Sequence, residues 1–187
     1  MATIQTAISR SETPLEFNQG PQLSPSHWYA VYTCSRHEKR VADFLHGSQV
    51  DCFLPLYKSV RRWKDRQKQL DLPLFPSYVF VHIPIEHRLR VLTAPGVVQI
   101  VSVDGKPVPL PESEIDRLRS GGSQGKNLEP HPYLKTGRRV RVRYGAMAGL
   151  EGLLVRRKEK LRLVLSVELI QRSVALEVDE ADVEAVN

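Results

Sequence analysis

Cysteine and long apolar runs are scarce in this chain of 187 residues. Cys34 and Cys52 are its only cysteines, and they lack the Cys-x-x-Cys spacing of a structural zinc site. Although two cysteines can form one bridge, we expect reduced thiols and a cytoplasmic protein. Residues 1–26 lack the basic start and apolar core of a signal peptide, and no apolar run approaches the ~20 residues that cross a bilayer. We therefore expect no membrane contact.

The residue patterns of common catalytic sites are also missing. The chain has no Gly-rich phosphate loop, no Ser/His/Asp arrangement that sequence can support and no paired-acid motif, and its histidines are scattered. A nuclease would need clustered acids to hold metal ions. The acids concentrate instead in residues 179–184, with no histidine beside them. We expect no enzymatic activity, no metal and no cofactor, and a function based on binding.

What the chain does have is an excess of positive charge. Its formal net charge is +6 and its pI is about 9.5, which favours a polyanionic partner such as nucleic acid. Residues 36–68 hold nine Lys or Arg against four Asp or Glu, a local net charge of +5. Basic side chains bind phosphate largely independently of sequence, and an aromatic ring among them can stack on an unpaired base.

Two groups within this basic segment are candidate nucleic-acid contacts. They are Arg36, His37, Lys39 and Arg40 in the first group, and Arg61, Arg62, Trp63 and Lys64 in the second. For most of these residues taken singly, a solvated surface position is the simpler interpretation. For the two groups together, nucleic-acid contact is the preferred one.

Composition divides the chain into four parts. Residues 1–26 are polar and predict a disordered tail. Residues 27–119 mix strand and helix signals and predict an α/β domain, a small sheet with packed helices. Residues 120–136 have the composition of a flexible linker. Residues 137–187 alternate apolar and polar residues in short runs, which predicts a closed β-barrel of about five strands.

Local signals predict individual elements inside residues 27–119. Residues 28–33 and 75–83 read as strands, residues 86–92 as a short helix, and Ser35 with Glu38 as the capping box of an earlier helix. Residues 58–69 form a polar, basic excursion. Asp104 and Gly105 predict a hairpin turn.

The combination of segments resembles one known family. Residues 28–32 (WYAVY) and 75–81 (FPSYVFV) resemble the NGN domain of the NusG family of transcription elongation factors, and residues 137–152 resemble its KOW motif. The order of NGN domain, flexible linker and KOW barrel is also the family's. The resemblance covers residues 27–187 and implies an α+β protein, in which an NGN-type α/β sandwich is linked to a five-stranded SH3-like KOW β-barrel.

Departures from the family pattern point to its specialised paralogues. Ser77 and Gln171 stand where the general factor usually has glycine, and the N-terminal tail is long. The segment of residues 53–57 and the basic excursion look more like RfaH-type and polysaccharide-operon (UpxY-like) antiterminators. These points imply a factor that acts on particular operons.

The resemblance also implies a polymerase-binding site. In the family, an apolar patch of the NGN domain docks on the clamp helices of the largest catalytic RNA polymerase subunit, and aromatic residues suit such anchors. The matching positions here are Tyr32, Phe75, Tyr78 and Phe80. Core and interface are both open for Phe80, whereas Phe75 is expected at the interface. A second family contact matches His87 and Arg88, for which a solvated helix face is the preferred alternative.

The remaining contacts implied by the family concern DNA and the barrel. The two basic groups would contact the non-template DNA strand near the transcription bubble. The barrel would recruit the termination factor Rho or a small-subunit ribosomal protein through Leu169, Ile170, Gln171 and Arg172. Ile170 is either exposed for this partner or caps the barrel core. The chain is expected to be a monomer.

An alternative function is a ribosome-associated, RNA-binding KOW protein. The four arginines of residues 138–143 would then contact RNA. This alternative leaves the aromatic face of residues 75–80 unexplained, so the NusG-family interpretation is preferred.

Overall fold

The computed structural model describes residues 24–63, 66–122, 128–131, 133, 137–157 and 160–186. The fold mixes helices and strands, as predicted. The helices are α1 (Glu38–Gly47), α2 (Arg88–Leu92) and α3 (Glu112–Gly122). The strands up to α3 are β1 (His27–Thr33), β2 (Asp51–Phe53), β3 (Leu56–Trp63), β4 (Arg66–Pro73), β5 (Tyr78–Ile83), β6 (Val97–Ile100), β7 (Ser102–Val103) and β8 (Lys106–Pro107).

The N-terminal part is built on a four-stranded sheet in the order β2-β5-β1-β6. β1 pairs antiparallel with both β5 and β6. Side chains alternate across each strand, so Tyr29 and Val31 join the core formed with α1 and α2, whereas Trp28 and Ala30 face the opposite core with α3. The predicted α/β layering is therefore present, with helices on both faces of one small sheet.

The basic excursion is a regular β-ribbon and not an irregular loop. β3 and β4 pair in unbroken antiparallel register from Leu56↔Pro73 to Trp63↔Arg66. They form a separate two-stranded sheet. The sequence predicted a polar, basic excursion here and no strands, because most of residues 58–69 are polar and lack the apolar alternation by which buried strands are recognised.

Two turn predictions have different outcomes. Asp104 and Gly105 have φ values of 49° and 75° between β7 and β8, which confirms the predicted hairpin turn. The strand predicted from residue 75 begins at Tyr78 instead. Ser77 has a φ of 67°, a left-handed conformation that no strand residue adopts, so the preceding residues form a turn.

The C-terminal part is a six-stranded antiparallel sheet in the order β14-β10-β11-β12-β13-β9. Its strands are β9 (Glu129–His131), β10 (Arg138–Val142), β11 (Glu151–Arg157), β12 (Lys160–Val167), β13 (Arg172–Val178) and β14 (Val183–Ala185). Five of them lie in the segment predicted to be all-β. The sixth, β9, comes from the predicted linker and pairs with the edge of β13.

Regular structure therefore reaches into residues 120–136. α3 continues to Gly122, and Arg162 on β12 holds β9 through an ion pair with Glu129 at 2.9 Å. Arg162 also lies 3.5 Å from Glu177 on β13. Residues 1–23 and 123–127 lie outside the described residues, so the predicted tail and the domain boundaries stay predictions.

Helix α3 contacts both sheets. The guanidinium of Arg119 lies over the rings of Trp28 and Phe53, 4.6 Å and 5.2 Å from their centroids. At Gly121, a Cβ atom would lie 3.5 Å from the side chains of Leu128 and Leu165, so the helix approaches the C-terminal sheet closely there. One apolar cluster consequently runs from the face of β1 that carries Trp28 and Ala30, through α3, to β12 and β13.

No helix in the described part of the chain combines the length and apolar character needed to cross a membrane.

Candidate functional site

Tyr32 and Tyr78 form an aromatic pair at one end of the N-terminal sheet. They are direct partners on β1 and β5, and their ring centroids lie 5.5 Å apart with an interplanar angle of 56°. Tyr32 is 38% exposed and Tyr78 is partly buried. Gln99 of β6 lies on the other side of Tyr32. The pair thus presents partly exposed aromatic surface at the end of the two central strands of this sheet.

Phe75 and Phe80 are in the core. Phe75 is 1% exposed and Phe80 is 0% exposed, and their rings pack edge to face at 5.6 Å. Phe53 packs against Phe80 from β2. The expectation that the Phe75 side chain lies at the surface is therefore wrong, because the apolar cluster under α3 encloses it. The core alternative holds for Phe80, and a docking role for either residue stays a prediction that requires this cluster to open.

The turn that carries the aromatic pair is anchored to helix α1. The backbone N–H of Ser77 donates to Oε1 of Glu38 at 2.7 Å, and its carbonyl accepts from the N–H of Thr33 at 2.9 Å. The predicted capping box was wrong, since α1 has no side-chain cap hydrogen bond and Glu38 is used for this contact. Glu38 is buried among the otherwise exposed residues of this helix start. No sequence signal distinguishes it from a capping glutamate.

The first basic group lies beside this anchor. Arg36, Lys39 and Arg40 are exposed, and His37 is partly exposed with its Nδ1 3.1 Å from the carbonyl oxygen of Ser35. Because Glu38 accepts the N–H of Ser77, the basic start of α1 is tied to the turn that leads into Tyr78.

The second basic group is distributed along the ribbon. Arg61, Arg62 and Trp63 occupy consecutive backbone positions of β3, paired in register with Lys68, Gln67 and Arg66. Lys64 lies outside the described residues. Lys58 and Lys68 are exposed. These residues, which are close in sequence, therefore occupy defined positions on a two-stranded ribbon.

The two residues of the second predicted polymerase contact lie at the start of α2. His87 ends a 3-10 turn and is partly exposed, and Arg88 opens the helix and is exposed. Leu89 beside them is strongly exposed. The predicted helix is present, and contact through these residues stays a prediction.

The predicted recruiting turn of the C-terminal sheet is only partly exposed. Ile170 is 7% exposed and belongs to the apolar cluster, so in this structure it caps the core. Leu169 is partly buried against the same cluster, whereas Gln171 and Arg172 are exposed. Any partner at this turn would meet Gln171 and Arg172 first.

Neither cysteine forms a disulfide, in agreement with the expectation of free thiols. Cys34 is exposed. Cys52 is buried, and desolvation together with the nearby carboxylates of Asp51 and Asp43 raises its pKa to about 11. Its Sγ lies 3.4 Å from Nε2 of His46. Across the described residues, no group of three or more His, Cys, Asp or Glu is placed to hold a metal ion.

Comparison with known proteins assigns the chain to a family. Residues 26–119, half of the chain, match the family model described as "NusG: Transcription termination factor nusG". The chain belongs to the NusG family. Members of this family are non-enzymatic transcription factors, so the chain is a transcription factor and not an enzyme.

Individual NusG relatives match over nearly their whole length. The chain is 27% identical to the transcription termination/antitermination protein NusG of Escherichia coli strain K12 over 173 residues, which covers 84% of this chain and 94% of that protein. It is 23% identical to NusG of Helicobacter pylori strain J99 over 172 residues, covering 85% and 98%. The solved structure described as "Domain interaction in Thermotoga maritima NusG" aligns with a TM-score of 0.49 at 21% identity, covering 87% of this chain and 98% of that one.

Two turn residues with a side chain have left-handed backbone. Ser77 and Gln171, at which the family resemblance predicts glycine, have φ values of 67° and 49°. Glycine adopts this left-handed region without the steric clash of a Cβ atom.

Proposed function

We propose that this NusG-family chain docks on the clamp helices of RNA polymerase through its N-terminal sheet, contacts the non-template DNA strand, and recruits Rho or a small-subunit ribosomal protein through its C-terminal sheet. It acts as a monomeric cytoplasmic elongation or antitermination factor. The observation that carries the proposal is the Tyr32–Tyr78 pair, exposed at Tyr32 and partly buried at Tyr78, inside the segment that matches the family model and anchored to a basic helix start.

The polymerase contact is assigned first to the tyrosine pair. Tyrosine buries a large area at low rotamer cost and keeps a hydroxyl for the polar rim of an interface. Tyr32 and Tyr78 hold each other in place across the strands, so little further ordering is needed on docking. Phe75 and Phe80 support the pair from within the core. His87 and Arg88 are assigned the second, weaker polymerase contact.

The DNA contact is assigned to the basic groups. Arg36, His37, Lys39 and Arg40 lie at the start of α1 next to the tyrosine pair, so a docked polymerase would place them near its DNA. Arg61, Arg62, Trp63 and Lys64 extend the cationic surface along the ribbon. Phosphate contact of this kind weakens steeply with salt.

The barrel contact is assigned to the turn before β13. Gln171 and Arg172 are its exposed members, and Leu169 supplies adjoining apolar surface. Ile170 would contribute only if the partner drew it out of the core. The operon-specific role is supported by the departures at Ser77 and Gln171 and by the basic ribbon.

The test measures binding of the full chain to a stalled RNA polymerase elongation complex. A Tyr32→Ala, Tyr78→Ala variant is compared with Tyr144→Ala, which removes an exposed tyrosine from the C-terminal part. We expect the wild type and Tyr144→Ala to bind, and the double variant to bind at least roughly tenfold more weakly, as expected for loss of interface anchors. Absence of wild-type binding would overturn the proposed docking. Equal binding by all three proteins would keep the docking and reject the tyrosine site.

A further inference from the structure

The outer face of the β3–β4 ribbon has the residue types of a DNA-reading surface. Because side chains alternate, the even-numbered positions of β3 share a face with their register partners on β4. Of these positions with described side chains, Leu56, Lys58, Val60, Gln67, Gln69 and Asp71 are exposed, and Pro73 is partly buried. Val60 is 64% exposed, and its cross-strand partner is Gln69.

The other face of the ribbon is turned toward the protein. Tyr57 and Leu72 are register partners and both are partly buried, and Tyr57 packs against the apolar cluster. The ribbon is therefore supported on one side by the core and presented to solvent on the other. The exposed side chains of Lys58, Val60, Gln67 and Gln69 have no packing role in this fold.

We propose that this outer face inserts into the major groove of double-stranded DNA and reads its base sequence. A two-stranded β-ribbon fits the major groove, which is about 12 Å wide. Eight residues of strand extend about 26 Å, enough to follow several base pairs. The inference rests on the proposed function in taking DNA as the partner, and it adds duplex recognition to the contact with the displaced strand.

The chemistry of the face favours a duplex over a single strand. Glutamine forms paired hydrogen bonds with adenine N6 and N7, and an apolar side chain contacts the thymine methyl group. Val60 and Gln69 are cross-strand partners. Together they match an adenine, bound by Gln69, and a neighbouring thymine methyl group, contacted by Val60. Proteins that bind single strands use exposed aromatic platforms instead, whereas Tyr57 of the ribbon is partly buried on the opposite face and packs against the core.

The charge of the ribbon matches the phosphates that border the groove. Residues 56–73 contain six Lys or Arg and two Asp, a net charge of +4. Lys58 is exposed on the outer face, where Asp71 is its register partner, and Lys68 is exposed at a position of the alternate face, so both are accessible to groove phosphates. Cations supply affinity without sequence preference, so discrimination between sequences falls to Val60, Gln67 and Gln69.

The test selects bound sequences from random duplexes of about 20 base pairs and, in parallel, from random single strands of the same length, with the full chain and no polymerase. The selected duplex and a shuffled version are then compared by fluorescence anisotropy over a range of salt concentrations. Val60→Ala, Gln69→Ala is the test variant. Val98→Ala, Gln99→Ala is the matched control, since it removes the same side-chain types from adjacent exposed positions of β6.

We expect the wild type and the control to prefer the selected duplex by roughly tenfold or more. The test variant should lose that preference while keeping its affinity for the shuffled duplex and its salt dependence. In a second variant, Gln69→Glu, one selected adenine should be replaced by cytosine, because a carboxylate accepts from cytosine N4. A merely structural role of Gln69 would not shift base preference.

Three outcomes would overturn the inference. They are no sequence enrichment by the wild type, equal discrimination by the test variant, and enrichment from single strands alone. The last would leave the proposed contact with the non-template strand intact. Duplex reading without binding to the elongation complex would reject polymerase docking and leave the ribbon assignment standing.

Discussion

Glu38 and Ser77 join the first helix to the turn that precedes the central strand β5. Oε1 of Glu38 accepts the backbone N–H of Ser77 at 2.7 Å, across 39 positions of sequence. The contact ties the start of α1, with its basic residues, to the turn that leads into Tyr78. It connects the candidate polymerase surface with the candidate DNA surface through one buried carboxylate.

Replacing Glu38 with alanine should destabilise the protein. The substitution leaves the N–H of Ser77 without its acceptor, and an unsatisfied buried donor costs about 1–3 kcal/mol. The measurement is the free energy of unfolding in urea. Asp43→Ala is the control, because Asp43 is exposed on the same helix and should change stability by less than ~0.5 kcal/mol. Equal effects of the two substitutions would show that the Glu38 contact contributes nothing specific.

The Glu38–Ser77 contact was not predictable from the sequence. Ser35 and Glu38 have the spacing of a capping box, which predicts a local hydrogen bond, and nothing in this spacing indicates that Glu38 binds Ser77 instead. The strands of the buried sheets were predictable, because alternation of residues such as Val140 and Val142 reflects one buried face.

The ribbon and β9 were not predictable for a related reason. Both pair at the margin of the fold, and the ribbon packs on the core only near its base, through Tyr57. β9 has the sequence Glu129-Pro130-His131, and it is held by pairing with β13 and by the ion pair from Arg162. Proline is tolerated there because an edge strand has a side that needs no backbone donor. The decisive contacts are distant in sequence, so no local pattern records them.

Substitution of Gln171 by glycine should leave stability unchanged or raise it. Gln171 has a φ of 49°, a conformation that costs a residue with a Cβ about 1–2 kcal/mol. Glycine relieves this strain, although the greater entropy of its unfolded chain offsets about 0.4–1 kcal/mol. Arg172→Gly is the contrast, since Arg172 is an ordinary strand residue and should lose about 0.5–1 kcal/mol. Thermal unfolding of both variants checks this. A clear loss of stability in Gln171→Gly would contradict the backbone assignment.

The two thiols should differ strongly in reactivity. Thiolate is the reactive form, and burial with nearby carboxylates raises the pKa of Cys52 to about 11, so at about pH 8 it is protonated as well as enclosed. Cys34 is exposed. Alkylation of the native protein, followed by mass spectrometry, should therefore modify Cys34 much faster than Cys52. In urea both thiols should react, which serves as the control. Comparable native rates would mean that the packing around Cys52 opens readily.

Glu114 should make stability fall with rising pH. Desolvation on α3, together with the nearby Glu168 and only partly opposed by Arg117, raises the pKa of Glu114 above its ordinary value. A carboxyl whose pKa is higher in the folded state stabilises the fold fully below its unfolded pKa of 4.5, and that contribution is lost as pH rises through the folded pKa. Glu114→Gln removes this titration and should flatten this part of the profile of stability against pH.

The measurement is the urea midpoint of wild type and Glu114→Gln from about pH 4 to about pH 8. The stability of the variant relative to wild type should increase across that window, while Glu112→Gln, an exposed control on the same helix, should show no such trend. If the stability difference between wild type and Glu114→Gln stays constant with pH, Glu114 ionises as freely in the folded chain as in the unfolded one. The burial of Glu114 would then not persist in solution.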